Sequence, residues 1–237
     1  MAYKTLLNIV QRASKRLLLP VPSTVYGNSD PGVLQMLELL QEEIDDSLSD
    51  HDWSPLITSW TITSTGINYT AQSFNADYER FLKDGAIIRS LNRTPLIGPV
   101  STVEWQQIIL YNSTIVTGCW RIFGGKLNIY GISSGDTVVT EYMSNYWILA
   151  ADGTTTKADW TADTDTPRID DTIFRLGLVW RWKRAKGLDY GKELDAYNAQ
   201  KEQIIAHDRG LRIVPTARSY RSDLPDNFWP GTVVVTP

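Results

Sequence analysis

Cysteine is nearly missing from this chain, and histidine almost so. The one thiol, Cys119, has no second cysteine to pair with; this excludes an internal disulfide and predicts synthesis in a reducing cytoplasm. His51 and His207, the two histidines, offer no zinc-like ligand spacing. No apolar run reaches membrane-span length, and 42% hydrophobic with 21% charged residues predicts an ordinary soluble chain without membrane contact. The opening Met1-Ala-Tyr-Lys-Thr-Leu-Leu7 lacks the apolar core of a signal peptide before charges return at Arg12, Lys15 and Arg16, so no export is expected. At 237 residues there is material for one good core, or one core and a satellite.

Two further absences are local. Residues 1–16 contain no acid, whereas residues 30–52 contain no lysine or arginine but carry Asp30, Glu38, Glu42, Glu43, Asp45, Asp46, Asp50 and Asp52. The net charge of −4 conceals this segregation. Either the two runs are solvated helix faces, or Arg12, Lys15 and Arg16 of one copy meet Glu38, Glu42, Glu43, Asp45 and Asp46 of the next.

What is present is organised around Asp170–Gly187. Ile173, Phe174, Leu176, Leu178, Val179, Trp180 and Trp182 go almost all the way round a helical wheel, which predicts a helix buried on several sides. Arg181, Lys183, Arg184 and Lys186 place cations at its negative end, and Gly187 is suited to terminate it. Asp189 can cap a second helix with the stripe Tyr190, Leu194, Tyr197 and Ile204, stopped by Gly210. Near the start, Leu6, Val10, Ala13 and Leu17 predict an amphipathic helix over 3–18. Asp30-Pro31 then reads as a cap and first turn for a helix burying Val33, Leu37, Leu40 and Ile44, with Leu34 and Leu48 beside them.

From Trp53 the period changes to two. Trp60 and Ile62, the turn Ser64-Thr-Gly66, then Ile67 and Tyr69 predict a hairpin, and strands are expected at Ala86–Leu91, Trp120–Phe123, Lys126–Tyr130 and Thr137–Tyr142. Gly124-Gly125 is a hairpin turn signal. Ser101-Thr-Val-Glu104, ahead of Trp105, Ile108 and Ile109, is a capping box for one helix within this region. Six basic and six acidic residues between 53 and 150 balance, so electrostatics do not nominate it for nucleic acid. Residues 150–171 read as a long polar connection.

These readings predict an α+β chain: an antiparallel helical bundle from 1–52 and 151–208, a β-rich insertion at 53–150, and an extended C-terminal arm at 209–237. The arm contains Arg209, Arg212, Arg218, Tyr220, Arg221, Phe228, Trp229, Val233, Val234 and Val235, with too many aromatic and β-branched residues for an ordinary disordered tail. It is suited to add a strand to a partner or fill its groove, and its arginines call for an acidic surface.

Catalytic constellations are poor. Cys119 has no neighbouring histidine, and Asp77 and Glu79 at i, i+2 would diverge on a strand. Asp159, Asp163, Asp165, Asp170 and Asp171 miss the calcium-loop spacing and read as loop and cap acids. Lys183, Arg184 and Lys186 mixed with Trp180, Trp182 and Tyr190 suit a decorated helix end better than nucleic acid, unless several copies line a channel. Neither an enzyme nor a cofactor site is expected.

The order of elements resembles that of the head-to-tail adaptor (head-completion or neck) proteins of tailed bacteriophages. The matching passages are Asp163-Thr-Asp-Thr-Pro167, Leu178-Val-Trp-Arg-Trp-Lys183, Lys186-Gly-Leu-Asp-Tyr190, Tyr197, the Thr137–Tyr142 strand running into Glu141-Tyr-Met-Ser144, and Pro95-Leu-Ile-Gly-Pro-Val-Ser-Thr-Val-Glu-Trp105. Together they cover most of residues 30–205. The resemblance implies a virion protein of the neck, made in the host bacterial cytoplasm. It implies a dodecameric ring beneath the portal, with the next tail or neck protein (a nozzle or tail terminator) below and DNA passing through without sequence recognition. The arm would dock on portal subunits, a role carried to 209–237 by position and composition. Two other classes stay open: a virion-associated peptidoglycan hydrolase, and a carbohydrate-binding virion module using exposed tryptophans.

Overall fold

The computed structural model describes residues 3–66, 69–110 and 118–208. Among them, helices and antiparallel sheets combine in a mixed α+β chain, and no described helix is long and apolar enough to cross a membrane.

The helix expected to be buried on several sides is α4, Asp171–Ala185, and its seven apolar residues are all buried. Asp170 caps it through the Thr172 amide at 2.8 Å. Three helices pack on it: α1 (Leu6–Arg16), α2 (Pro31–Asp50) and α5 (Gly191–Asp208). Asp30 caps α2 through the amides of Gly32 and Val33, with Pro31 in the first turn. The four helices share one apolar cluster, in which Trp147 stacks on Phe174 at 5.5 Å between ring centres. Each fully buried large side chain there contributes about 1.5–3 kcal/mol.

The β-rich stretch holds β1 (Ile57–Thr63), β2 (Tyr69–Ser73), β3 (Tyr78–Phe81), β4 (Ile88–Arg89), α3 (Thr102–Leu110), β5 (Cys119–Phe123), β6 (Lys126–Tyr130) and β7 (Thr137–Ser144). Strand β7 is the hub: β1 pairs along its whole length on one side, while β3 and then β4 pair on the other. Sheet β2–β6–β5 stands beside it. Trp60, Ile62, Val138 and Tyr142 face a second apolar cluster with Leu127 and Ile129, whereas Met143 belongs to the helical cluster.

The expected hairpin between β1 and β2 does not form. Ser64 in the turn bonds Gly135 and Asp136, which sends β1 to β7 and β2 to β6. Alternation identifies a strand but not its partner, and Ile67 lies outside the described residues. The Gly124-Gly125 hairpin joins β5 and β6, both glycines having the positive φ a two-residue turn requires. The capping box of α3 closes reciprocally, from the Ser101 amide to Glu104 at 2.8 Å and from the Glu104 amide to Ser101 Oγ at 3.3 Å.

The polar connection of 150–171 is built rather than loose. It contributes β9 (Thr156–Lys157) and β10 (Thr166–Pro167), which flank β8 (Ile148–Leu149). Asp165, almost wholly buried, accepts bonds from Lys157 Nζ at 2.7 Å and from the amides of Thr161 and Ala162. Main-chain oxygens of Asp163 and Asp165 meet the Leu7 and Leu6 amides at the start of α1, and Asp163 Oδ1 takes the amides of Val25 and Tyr26.

Burial alone would raise the Asp165 carboxyl, but Lys157 and the two amides outweigh it and hold the group below the ordinary aspartate range. A depressed acid contributes stability above its unfolded value, about pH 3.9, and that stability is lost as pH falls through the folded value. Asp165→Asn should therefore cost about 1–3 kcal/mol at neutral pH. In urea melts it should also remove part of the destabilisation that the parent chain shows below about pH 4.

Candidate functional site

On α2, the residues Val33, Met36, Leu40, Glu43 and Ser47 follow one another at spacings of three and four, and all five are buried. This seam faces α4, and it carries Glu43 inside with it. The Glu43 carboxylate accepts bonds from Arg181 Nε at 2.9 Å, from Ser47 Oγ at 3.2 Å and from the Tyr197 hydroxyl. Arg181 is buried as well, and its remaining nitrogens reach Glu42 at 3.4 Å and Asp46. Three carboxylates of one helix thus converge on a single guanidinium of another.

Gly177 on α4 makes this possible. A Cβ placed there would lie 2.5 Å from the Glu43 carboxyl carbon, so the acid occupies the volume that a side chain would take. Burial pushes the Glu43 carboxyl up from its ordinary value, opposed by the bonds from Tyr197 and Arg181. Burial also raises the Tyr197 phenol, and the Glu43 charge adds to it. For Arg181 burial works against the charge, but Glu43 and Asp46 more than offset it.

This corrects the sequence reading in two places. Glu43, expected at a contact between copies, is enclosed within its own chain and has no surface to offer one. Arg181, expected as one of the cations at the negative end of its helix, is a buried internal counter-ion. Glu42 and Asp46 remain more than half exposed while bonding Arg181. Glu38 and Asp45 are exposed on α2, and Arg12, Lys15 and Arg16 are exposed on α1, where none of the three makes a hydrogen bond or ion pair with a described residue. The arm residues Arg209, Arg212, Arg218, Tyr220, Arg221, Phe228, Trp229, Val233, Val234 and Val235 lie outside the described residues.

Other groups take structural partners. Asp77 accepts from the Tyr142 hydroxyl at 2.7 Å and the Ser144 hydroxyl at 2.9 Å, while Glu79 is exposed on β3. Lys183 pairs with Glu193, and Lys186 lies 4.6 Å over the Trp182 ring. Two ties were not visible in the sequence. Arg80 of β3 caps the C-terminal end of α2 through the carbonyls of Leu48 and His51 and pairs with Asp52 at 2.6 Å. His51 Nε2 meets Asp208 Oδ2 at 2.9 Å, but the Ser54 hydroxyl donates to the Asp208 main-chain oxygen rather than to the imidazole. These three residue types therefore fasten the end of α5 instead of forming a nucleophile relay.

No protein-family model matches the chain, and no curated protein matches it.

Two tests follow from the packing. Alanine for glycine in a helix is ordinarily worth about 1 kcal/mol of stability. At Gly177 it must displace a buried acid bonded on three sides, and overpacking costs about 1–3 kcal/mol before any broken ion pair is counted. Gly177→Ala should therefore lower the urea midpoint; an equal or higher midpoint would show that Glu43 swings aside freely. Cys119 is buried, and desolvation pushes its thiol up to about 11. Iodoacetamide at about pH 8 should leave it unmodified in the folded chain and alkylate it once urea has unfolded the protein.

Proposed function

We propose that the chain is a structural virion protein. In this reading it is a ring-forming adaptor that joins the portal vertex of a phage head to the tail and lines the DNA exit channel. The terminal helices would form an antiparallel bundle as the body of each subunit, with the β-rich stretch and the arm of 209–237 reaching toward portal and tail neighbours. The ring would be dodecameric. The motif passages between residues 30 and 205 favour this reading, as does the buried use of aromatics expected of a packing element.

The observation that carries it is the pair of unlike charged faces. A closed ring needs a heterologous interface, with two different, complementary patches on each copy. Arg12, Lys15 and Arg16 are exposed and make no hydrogen bond or ion pair with a described residue, and Glu38, Glu42, Asp45 and Asp46 expose carboxylates on another helix. The opposite charges would fix the register of neighbouring copies more than they would add affinity.

Sedimentation and electron micrographs of the purified chain test this, alone and mixed with portal protein. Rings are expected at low salt, weaker at high salt because exposed charges are screened over roughly 10 Å at 0.1 M. Joint replacement of Arg12, Lys15 and Arg16 by Glu should weaken ring assembly, most at low salt, while leaving the circular dichroism spectrum unchanged. Assembly of that variant at parental levels would exclude the α1–α2 interface. A parent chain that stays monomeric at every concentration, with and without portal protein, would overturn the adaptor reading itself.

A further inference from the structure

Helices α1 and α4 end by the same turn. In α1 the Leu18 amide bonds the Lys15 carbonyl at 3.3 Å and the Leu19 amide bonds that of Ser14 at 2.9 Å. In α4 the Gly187 amide bonds Arg184 at 3.0 Å and the Leu188 amide bonds Lys183 at 2.9 Å. This turn needs one left-handed residue, and α4 supplies Gly187, at φ 68°. In α1 the residue is Leu18, at φ 57° and 93% exposed. A leucine is disfavoured in that conformation and packs against almost nothing there, so neither the backbone nor the core accounts for it.

The two helices start side by side, where the Lys4 amide meets Asp171. They also end side by side, where the Glu193 carboxyl is held down by its bond from Lys183 and by the charge of Arg16. They therefore point the same way, and Leu18 and Leu188, the latter 55% exposed, project from one end of the helical half. Lys15, Arg16, Arg184, Lys186 and Lys192 are exposed at this end, and no side chain of the five makes a hydrogen bond or ion pair with a described residue. The nearby acids are committed: Asp30 and Asp189 to amides at the starts of α2 and α5, Glu193 to Lys183. At the opposite end Asp170, Asp171 and Asp208 gather about Tyr3.

Cations alone are ordinary at helix C-termini. What sets this end apart is a pair of aliphatic tips within a collar of unpaired cations, and two tips projecting in parallel fit a plane better than a groove. We infer that this end of the helical half docks on an anionic lipid surface, with Leu18 and Leu188 entering the boundary between headgroups and acyl chains while the cations meet lipid phosphates. Charge complementarity names the occupant and orients it, since the acidic end is turned away. Leu18 and Leu188 stand 170 residues apart in sequence and form no apolar run, which is why composition predicts no membrane contact. Lys15 and Arg16 also belong to the copy interface proposed above, but the inference rests on the leucines and on α4 and does not require the adaptor reading.

Co-sedimentation of the full-length chain with vesicles of equal parts phosphatidylglycerol and phosphatidylcholine tests it. Binding is expected there and not to phosphatidylcholine alone, and it should fall at high salt. Arg184→Gln with Lys186→Gln should weaken it about twenty-fivefold, roughly fivefold for each cation removed from an anionic surface. Leu18→Gly decides the matter. Glycine suits the positive φ, so the urea midpoint should hold or rise, while affinity for the vesicles should drop about tenfold. No binding to the anionic vesicles would overturn the proposal. So would binding that Leu18→Gly leaves at the parental level, which would reduce this end to cations that attract any polyanion, duplex DNA included.

Discussion

A guanidinium withdrawn from water between two helices must be surrounded by acceptors, and Arg181 imposes that condition on the helical half of the molecule. Leaving such a charge unpaired would cost several kcal/mol. Glu43, Glu42 and Asp46 satisfy it from α2, and Tyr197 brings α5 to the same carboxylate. Three helices are thereby set in one register by one network. The requirement also explains a feature of composition: a lysine or arginine in this part of α2 would compete with Arg181 for those carboxylates. The lack of base around Glu42, Glu43 and Asp46 thus fits their commitment to Arg181.

That commitment matters for how the acids are read. A carboxylate on an exposed helix face is free to meet a neighbour, whereas one facing a buried arginine is already committed. Glu43 is wholly of the second kind, Glu38 and Asp45 of the first, and Glu42 and Asp46 stand between. On α1 no such division arises, because Arg12, Lys15 and Arg16 all point to solvent.

What the sequence disclosed was local. The Asp30-Pro31 start of α2, the Ser101/Glu104 box of α3, the paired glycines between β5 and β6 and the all-round apolar wheel of α4 each rest on residues a few positions apart. What it withheld depends on distant partners. β1 and β2 separate because Ser64 is held by Gly135 and Asp136, some seventy residues away in the chain. Asp165 orders its stretch through Lys157 and the start of α1. Glu43 carried a readable signal, namely a three-four spacing that places an acid on the buried seam opposite a mid-helix glycine. Reading it needs the polar members of the pattern to be counted with the apolar ones.

Strand β7 belongs to both cores at once: Tyr142 faces one and the next residue, Met143, faces the other. A slip of one residue would turn each out of its own core and into the wrong one, so every neighbour of the strand resists the same error. An inserted or deleted residue within 137–144, or in the β1 segment that follows them rung for rung, would force that slip. One added at a tip such as the Gly124-Gly125 turn would leave both cores in register.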